Sequence, residues 1–133
     1  MLGVKLAGLG KALPDRIVTN AELEEQFGLR AGWIEKATGV RERRRAPDGS
    51  SSSAYGAIAA RQAIERAGIS PGEIDLIIGA SSGPEQLIPC TAALLQRELD
   101  LPEGKSACFD INATRLSFLA ALHVAAPLVA SGA

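Results

Sequence analysis

The stretch Ser106-Ala-Cys-Phe-Asp-Ile-Asn-Ala-Thr-Arg-Leu-Ser-Phe118 carries the residues whose types and order bear most directly on chemistry. It predicts a buried strand, then a tight turn, then a helix opening near Arg115. At such a junction backbone N–H groups and the positive end of the helix dipole converge, and they stabilise an anion such as a thiolate. The residue that stands there is an arginine. It has no thiol and keeps its charge at any working pH. Two thiols lie nearby in sequence. Cys108 falls seven residues earlier, inside the predicted strand and away from the helix end that would lower its pKa. Cys90 follows Pro89 at a predicted helix start, where a thiolate is somewhat favoured. Both read best as packing thiols, buried and reduced, with no disulfide framework. His123, the single histidine, falls mid-helix about two turns beyond Arg115 and reads as a packing residue.

Positioning these groups requires elements, and the chain punctuates them clearly. Val4 to Leu13 mixes apolar residues with glycines and predicts a strand that stops at a Pro14-Asp15 turn. Thr19-Asn20-Ala21-Glu22-Leu23-Glu24 has the capping residues and first-turn acids of a helix start. A short helix is predicted from Gly32 to Ala37, ending at Gly39, and Arg41 to Gly49 predicts a solvated loop. Ser50 to Ser53 supply an N-cap for a helix over Ala54 to Ala67, where Tyr55, Ile58, Ala59, Ala63 and Ile64 recur at helical spacing before Gly68.

Ile74 to Ala80 is a short apolar run, the mark of a parallel strand covered on both faces. Thr91 to Leu99 predicts a helix, Ala107 to Ile111 a strand, and Leu116 to Ser131 the last helix. Alternation of this kind implies a layered α/β sheet with right-handed crossovers. Ligands of such sheets bind beyond the carboxyl ends of the strands. That places Ser81 to Pro89 and Asn112 to Arg115 on the functional edge.

Composition narrows the classes. The chain has 133 residues, 47% of them hydrophobic and 22% charged, which suits one soluble α/β domain with a real core. A net charge of −1 gives no case for nucleic acid or an anionic membrane as partner. No signal peptide is visible at the N-terminus, and a cytoplasmic location is expected. Leu116 to Ala130 is apolar but too short to span a bilayer, and His123 and Pro127 interrupt it, so a buried core helix is expected. Asn112-Ala113-Thr114 is a formal glycosylation triplet without weight in such a chain. No metal site is expected.

The order of several motifs resembles the N-terminal part of β-ketoacyl-acyl carrier protein synthase III, a thiolase-fold condensing enzyme. The motifs are Gly8-Leu9-Gly10 with Leu13-Pro14, Thr19-Asn20-Ala21-Glu22-Leu23, Trp33-Ile34 and Thr38-Gly39-Val40-Arg41-Glu42-Arg43. They continue with Ile74-Asp75-Leu76-Ile77-Ile78, Pro89-x-Thr91-Ala92, Phe109-Asp110-Ile111-Asn112-Ala113 and Ala130-Ser131-Gly132-Ala133. The resemblance covers essentially the whole chain. It implies that residues 1–133 form a thiolase-like N-terminal domain, incomplete relative to the family: a partial N-terminal half of a layered fold.

The resemblance implies a homodimer of subunits with two similar halves in five αβαβα layers. In the family a cysteine attacks an acyl-CoA thioester, and the acyl-enzyme condenses with malonyl-acyl carrier protein. Arg115 stands at that cysteine's spacing. The family's catalytic His and Asn come from the second half, beyond Ala133, so this chain alone is expected not to condense anything. Arg115 then has three readings: loss of the nucleophile, drift in a gene remnant, or a gained role holding a carboxylate or phosphate. If the helix is buried, the arginine should find an acid or a wet pocket.

By the same resemblance Trp33 stacks the adenine of CoA, or else is simply a partly buried anchor. Ala37 stands where the family often carries a supporting arginine. Ile88 matches a position that reaches across the dimer interface. The run Arg41 to Arg45 faces CoA phosphates or an acidic carrier protein, or is simply solvated. Acyl-CoA enters as a substrate, with no cofactor bound covalently. A homodimer, a heterodimer with a related synthase, a non-catalytic partner subunit and a functionless fragment all remain open. An α/β chain of this extent should also leave a strand edge or helix face uncovered.

Overall fold

The arginine-rich segment expected as a loop is a strand in the computed structural model, which describes residues 4–132. Within Leu13–Ser50, one of two units of the chain, β1 (Arg16–Thr19) is followed by α1 (Asn20–Gln26), α2 (Trp33–Thr38) and β2 (Glu42–Arg45). β2 returns antiparallel to β1, with Ile17 opposite Arg44 and Val18 opposite Arg43. A two-stranded ribbon covers one face only, so an arginine-rich strand costs little. Val18 is buried, while Arg43 Nη2 donates to Asn20 Oδ1 at 2.8 Å and Arg44 Nη1 to the carbonyls of Pro14 and Asp15.

Both helices of this unit depend on side chains for their first turns. Thr19 Oγ1 accepts from Glu22 N–H and caps α1, as its position in the sequence predicts. α2 starts after Gly32, whose φ of 76° suits glycine and which has no side chain to cap with. The buried Glu24 takes over that task, accepting from Gly32 N–H and Ile34 N–H, both at 2.9 Å. Glu24→Ala leaves the buried Ile34 N–H without an acceptor and is expected to destabilise the unit by roughly 2–3 kcal/mol. Amide exchange of α2 checks this, and unchanged protection of Ile34 would contradict it.

The other unit consists of the residues on either side of Leu13–Ser50. It contains α3 (Ser52–Ala67), β3 (Leu76–Ala80), α4 (Thr91–Glu98), β4 (Ala107–Ile111) and α5 (Ser117–Ser131). Ser51 caps α3 by accepting from Ala54 N–H at 3.1 Å, and Gly68 ends the helix at φ 69°. β3 and β4 pair in parallel from Leu76–Ala107 to Ala80–Ile111. Alternation puts Ile77 and Cys108 together on one face, where they join Ala57 of α3, Ala92 of α4, Leu99 and Leu101 in the core.

Three expectations change. Residues 4–13 form no strand, because no ladder partner lies beside them among the described residues. Residues 8–11 run along α3 instead: a Cβ on Gly8 or Gly10 would collide with the carbonyl of Ala63 or Ala59, and Leu9 O accepts from Arg66 Nη1 at 2.6 Å. β3 is only partly covered, with Ile77 alone fully buried. α5 is no core helix either. Only Ser117 and Ala121 are buried, whereas Phe118, Leu119, Leu122 and Val129 stand in solvent, as does His123, which packs against nothing as a core residue would.

Candidate functional site

Two loops leave the carboxyl ends of the parallel pair, one after β3 and one after β4. The first is tied down by carboxylates. Asp110, next to last in β4, lies on the face of the sheet that carries Ile77 and Cys108. Its Oδ2 accepts from Thr91 N–H at 2.8 Å and its Oδ1 from Ala92 N–H at 2.9 Å. Cys90, the N-cap residue of α4, makes no side-chain cap bond, so Asp110 supplies the cap from the sheet. Gly79, opposite Asp110, leaves the space its carboxylate occupies; a Cβ there would strike it.

Glu85 fastens the first loop at a second point. Its carboxylate accepts from Ser53 N–H at 2.8 Å and from Ser52 Oγ at 3.1 Å, at the start of α3. Those bonds, Ser53's first, hold its pKa below the ordinary value, with a smaller contribution from the charge of Arg97. A carboxylate depressed in the folded state adds stability above its unfolded pKa and loses it as pH falls through the folded one. Unfolding midpoints are therefore expected to favour the wild type over Glu85→Gln at neutral pH, with the gap closing as pH drops below the ordinary Glu value of 4.5. A pH-independent gap contradicts this role.

The second loop is the turn that carries Arg115. Residues Thr114–Leu116 form one 3₁₀ turn before α5. Thr114 has φ 53°, a conformation uncommon for a β-branched residue. Asn112 Oδ1 steadies it by accepting from Thr114 N–H at 3.1 Å. The buried Ser117 braces the other side, accepting from Ala113 N–H and donating to Thr114 O. Both of these bonds engage the Ser117 hydroxyl with backbone, so it is a structural group rather than a substitute nucleophile.

Arg115 itself is exposed, and no acid pairs with it among the described residues. It reaches solvent rather than a buried counterion, which removes the cost of burying a lone charge. The sequence places Ile88 on the same edge, and the structure puts it at the exposed tip of the first loop beside Leu87, 89% and 87% accessible. The thiols lie deeper and together: Cys90 Sγ donates to Cys108 O at 3.8 Å, and both are free and half-buried. Burial first, then neighbouring Cys90 and Asp110, pushes the Cys108 thiol up, which argues against a reactive thiolate.

Trp33 belongs to the Leu13–Ser50 unit, where it opens α2 with half its surface exposed. A shallow hollow of about 200 Å³ beside it is lined by Arg30, Gly32 and Lys36. A larger hollow, of about 860 Å³, lies at the amino ends of β3 and β4, lined by Asp75, Leu76, Lys105, Ala107 and Val129. It is at the end opposite the Arg115 turn, and Lys105 and Asp75 there are engaged with each other at 2.6 Å. Size therefore does not pick out the site; the braced turn and the capped helix do.

Asp110, Gly79, Glu85 and Ser117 escaped the sequence reading as positioning groups. An acid inside an apolar strand was the available signal for Asp110, since a carboxylate there needs donors.

The fold defined by these elements is thiolase-like. The chain superposes on the 3-oxoacyl-[acyl-carrier-protein] synthase III of Aquifex aeolicus with a TM-score of 0.87 and 37% identity, over 98% of this chain and 41% of that one. A variant of OleA from Xanthomonas campestris gives a TM-score of 0.87 at 25% identity, over 96% and 39%. Within that class the chain resembles β-ketoacyl-[acyl-carrier-protein] synthase III. The protein of that name from Rhizobium meliloti is 39% identical over 132 residues, 99% of this chain and 40% of the relative. No family model matches the chain. The chain thus spans about two fifths of the length of the curated relatives it matches.

Proposed function

We propose that this chain contributes the acyl-CoA-facing part of a synthase III-like acyltransferase of fatty-acid or polyketide synthesis, with Arg115 at the nucleophile position. The single observation behind this is the turn that carries Arg115: strand, braced turn and helix follow one another as a nucleophile shelf requires, yet the residue presented is a guanidinium. The chain alone forms no acyl-enzyme, because arginine offers no sulfur to acylate and its charge opposes an anion at the start of α5. The half-exposed Trp33 ring stacks the adenine of CoA, and the neighbouring Arg30 and Lys36 attract its phosphates. That pair of cations offsets Ala37, the position where a supporting arginine is absent.

Ile88 takes the dimer contact in this reading, and the exposed arginines of β2 attract an acidic carrier protein. Acyl-CoA is a substrate, nothing is bound covalently, and the location is cytoplasmic. A non-catalytic partner subunit is the second reading, favoured by the bare apolar faces of α5. Intact-mass spectrometry of the wild-type chain after incubation with acyl-CoA tests the first. An unchanged mass together with quenching of Trp33 fluorescence by CoA is expected. A covalent acyl adduct on the wild type overturns it.

A further inference from the structure

The sequence holds two cysteines, 18 residues apart, and the fold brings them together. Cys90 precedes the first turn of α4, and Cys108 lies in β4. Cys90 Sγ donates to the carbonyl of Cys108 itself at 3.8 Å, while Cys108 Sγ donates to Ser106 O at 3.7 Å. Thiols are weak donors, so neither bond holds its sulfur firmly. Both side chains pack against the same core, beside Ala57, Ile77 and Ala92. Asp110 sets the register between them. It lies two residues beyond Cys108 on the same face of β4 and accepts from the N–H of Thr91, the residue after Cys90.

A metal ion is a poor fit for this pair. Among the described residues no group of three or more His, Cys, Asp or Glu side chains is placed to hold one. Both oxygens of the neighbouring Asp110 are already taken by backbone N–H groups. Reaction of the two thiols with each other is what their proximity favours, since an intramolecular attack needs no second encounter.

We propose that Cys90 and Cys108 form a reversible intramolecular disulfide when a small-molecule disulfide oxidises the chain. The bridge staples the end of the loop that presents Ile88 to the strand that leads into the Arg115 turn. It does not depend on the synthase III reading. Burial holds the Cys108 thiol in its protonated form, so Cys90, as a thiolate, opens the exchange. Its sulfur bonds to one sulfur of the oxidant, the S–S bond of the oxidant breaks, and the departing thiolate takes up a proton. Cys108 then gives up its proton and attacks the Cys90 sulfur, which forms the bridge and releases the second small thiolate to be protonated in turn. Two electrons and two protons pass from the chain to the oxidant, which leaves as two thiols. Where thiols are kept reduced, such a bridge is a switch rather than a permanent staple.

Oxidised glutathione, added to the folded chain without reductant, tests the proposal. The intact mass is expected to fall by that of two hydrogen atoms, with one cross-linked peptide joining residues 90 and 108, and dithiothreitol is expected to restore it. The oxidised chain is expected to melt about 5–10 °C above the reduced one, because the bridge closes a loop in the unfolded state. Cys108→Ser is expected to keep one glutathione on Cys90. Cys90→Ser is expected to take up glutathione on Cys108 about tenfold more slowly than that. Glutathione retained on both cysteines of the wild type, a disulfide-linked dimer, or a bridge that forms only in denaturant overturns the proposal. So does a folded wild type that does not react.

Discussion

Asp110→Ala is expected to lower the unfolding free energy by roughly 2–4 kcal/mol, among the largest effects any single substitution can have on this fold. The carboxylate accepts from two successive backbone donors at the start of α4, at 2.8 and 2.9 Å. Ala92 is completely buried, so water cannot replace the lost acceptor. The charge also faces the positive end of the helix dipole, so asparagine recovers the loss only in part: it keeps one oxygen and turns an NH₂ toward the second N–H. Gly79 reports on the same arrangement. Its alanine variant places a methyl where the Asp110 carboxylate lies and should push that group off α4. The two substitutions share one mechanism, so Gly79→Ala combined with Asp110→Ala should cost less than the two separate losses by about 1 kcal/mol or more. Urea unfolding of the four proteins measures this. Additivity to within about 0.5 kcal/mol would mean that the pair does not act as a unit.

This cap matters beyond stability because α4 is the far anchor of the loop that presents Ile88, while β4 runs on from Asp110 into the turn of Arg115. That carboxylate therefore sets the first loop of the carboxyl edge, and Asn112 and Ser117 set the second. Glu85 holds the first of them again, against α3. The edge is a braced scaffold before any chemistry is asked of it.

Local signals made most of the helices legible in the sequence. Thr19, Ser51, Gly39 and Gly68 act as the caps their types predict, and β4 runs over Ala107–Ile111 as the apolar run indicates. The pairing of β1 with β2 was not legible, because it joins residues far apart in sequence and its arginines read as solvated. Residues 4–13 have the composition of a strand, but a strand exists only with a partner ladder, which composition cannot report. α5 has the composition of a core helix, but composition does not report neighbours, and the described residues leave its outer face exposed. The synthase III likeness was carried by motif order and is matched at 39% identity over 99% of the chain. The positioning roles of Asp110 and Glu85 needed coordinates, since each reaches donors in a different element.

The second large effect is a gain. In Arg115→Cys a thiol replaces an exposed guanidinium at the turn leading into α5, where the positive end of the helix dipole favours a thiolate. Free cysteine has a pKa of about 8.5 and helix N-termini lower it, so a useful thiolate fraction near neutral pH is expected. Attack on an acyl-CoA thioester then forms one new thioester bond to the protein, and the CoA thiolate departs with the electron pair and takes up a proton. Cys90 and Cys108 provide an internal control. Both are half-buried, and burial pushes Cys108 up, so neither should compete.

The most direct measurement is therefore the intact mass of the wild type and of Arg115→Cys, side by side after incubation with acyl-CoA, with the modified residue located by peptide mapping. The account predicts a single acyl group at position 115 of the variant and none on the wild type. An acyl group on the wild type at a comparable rate, or a folded variant that takes up none, would contradict it.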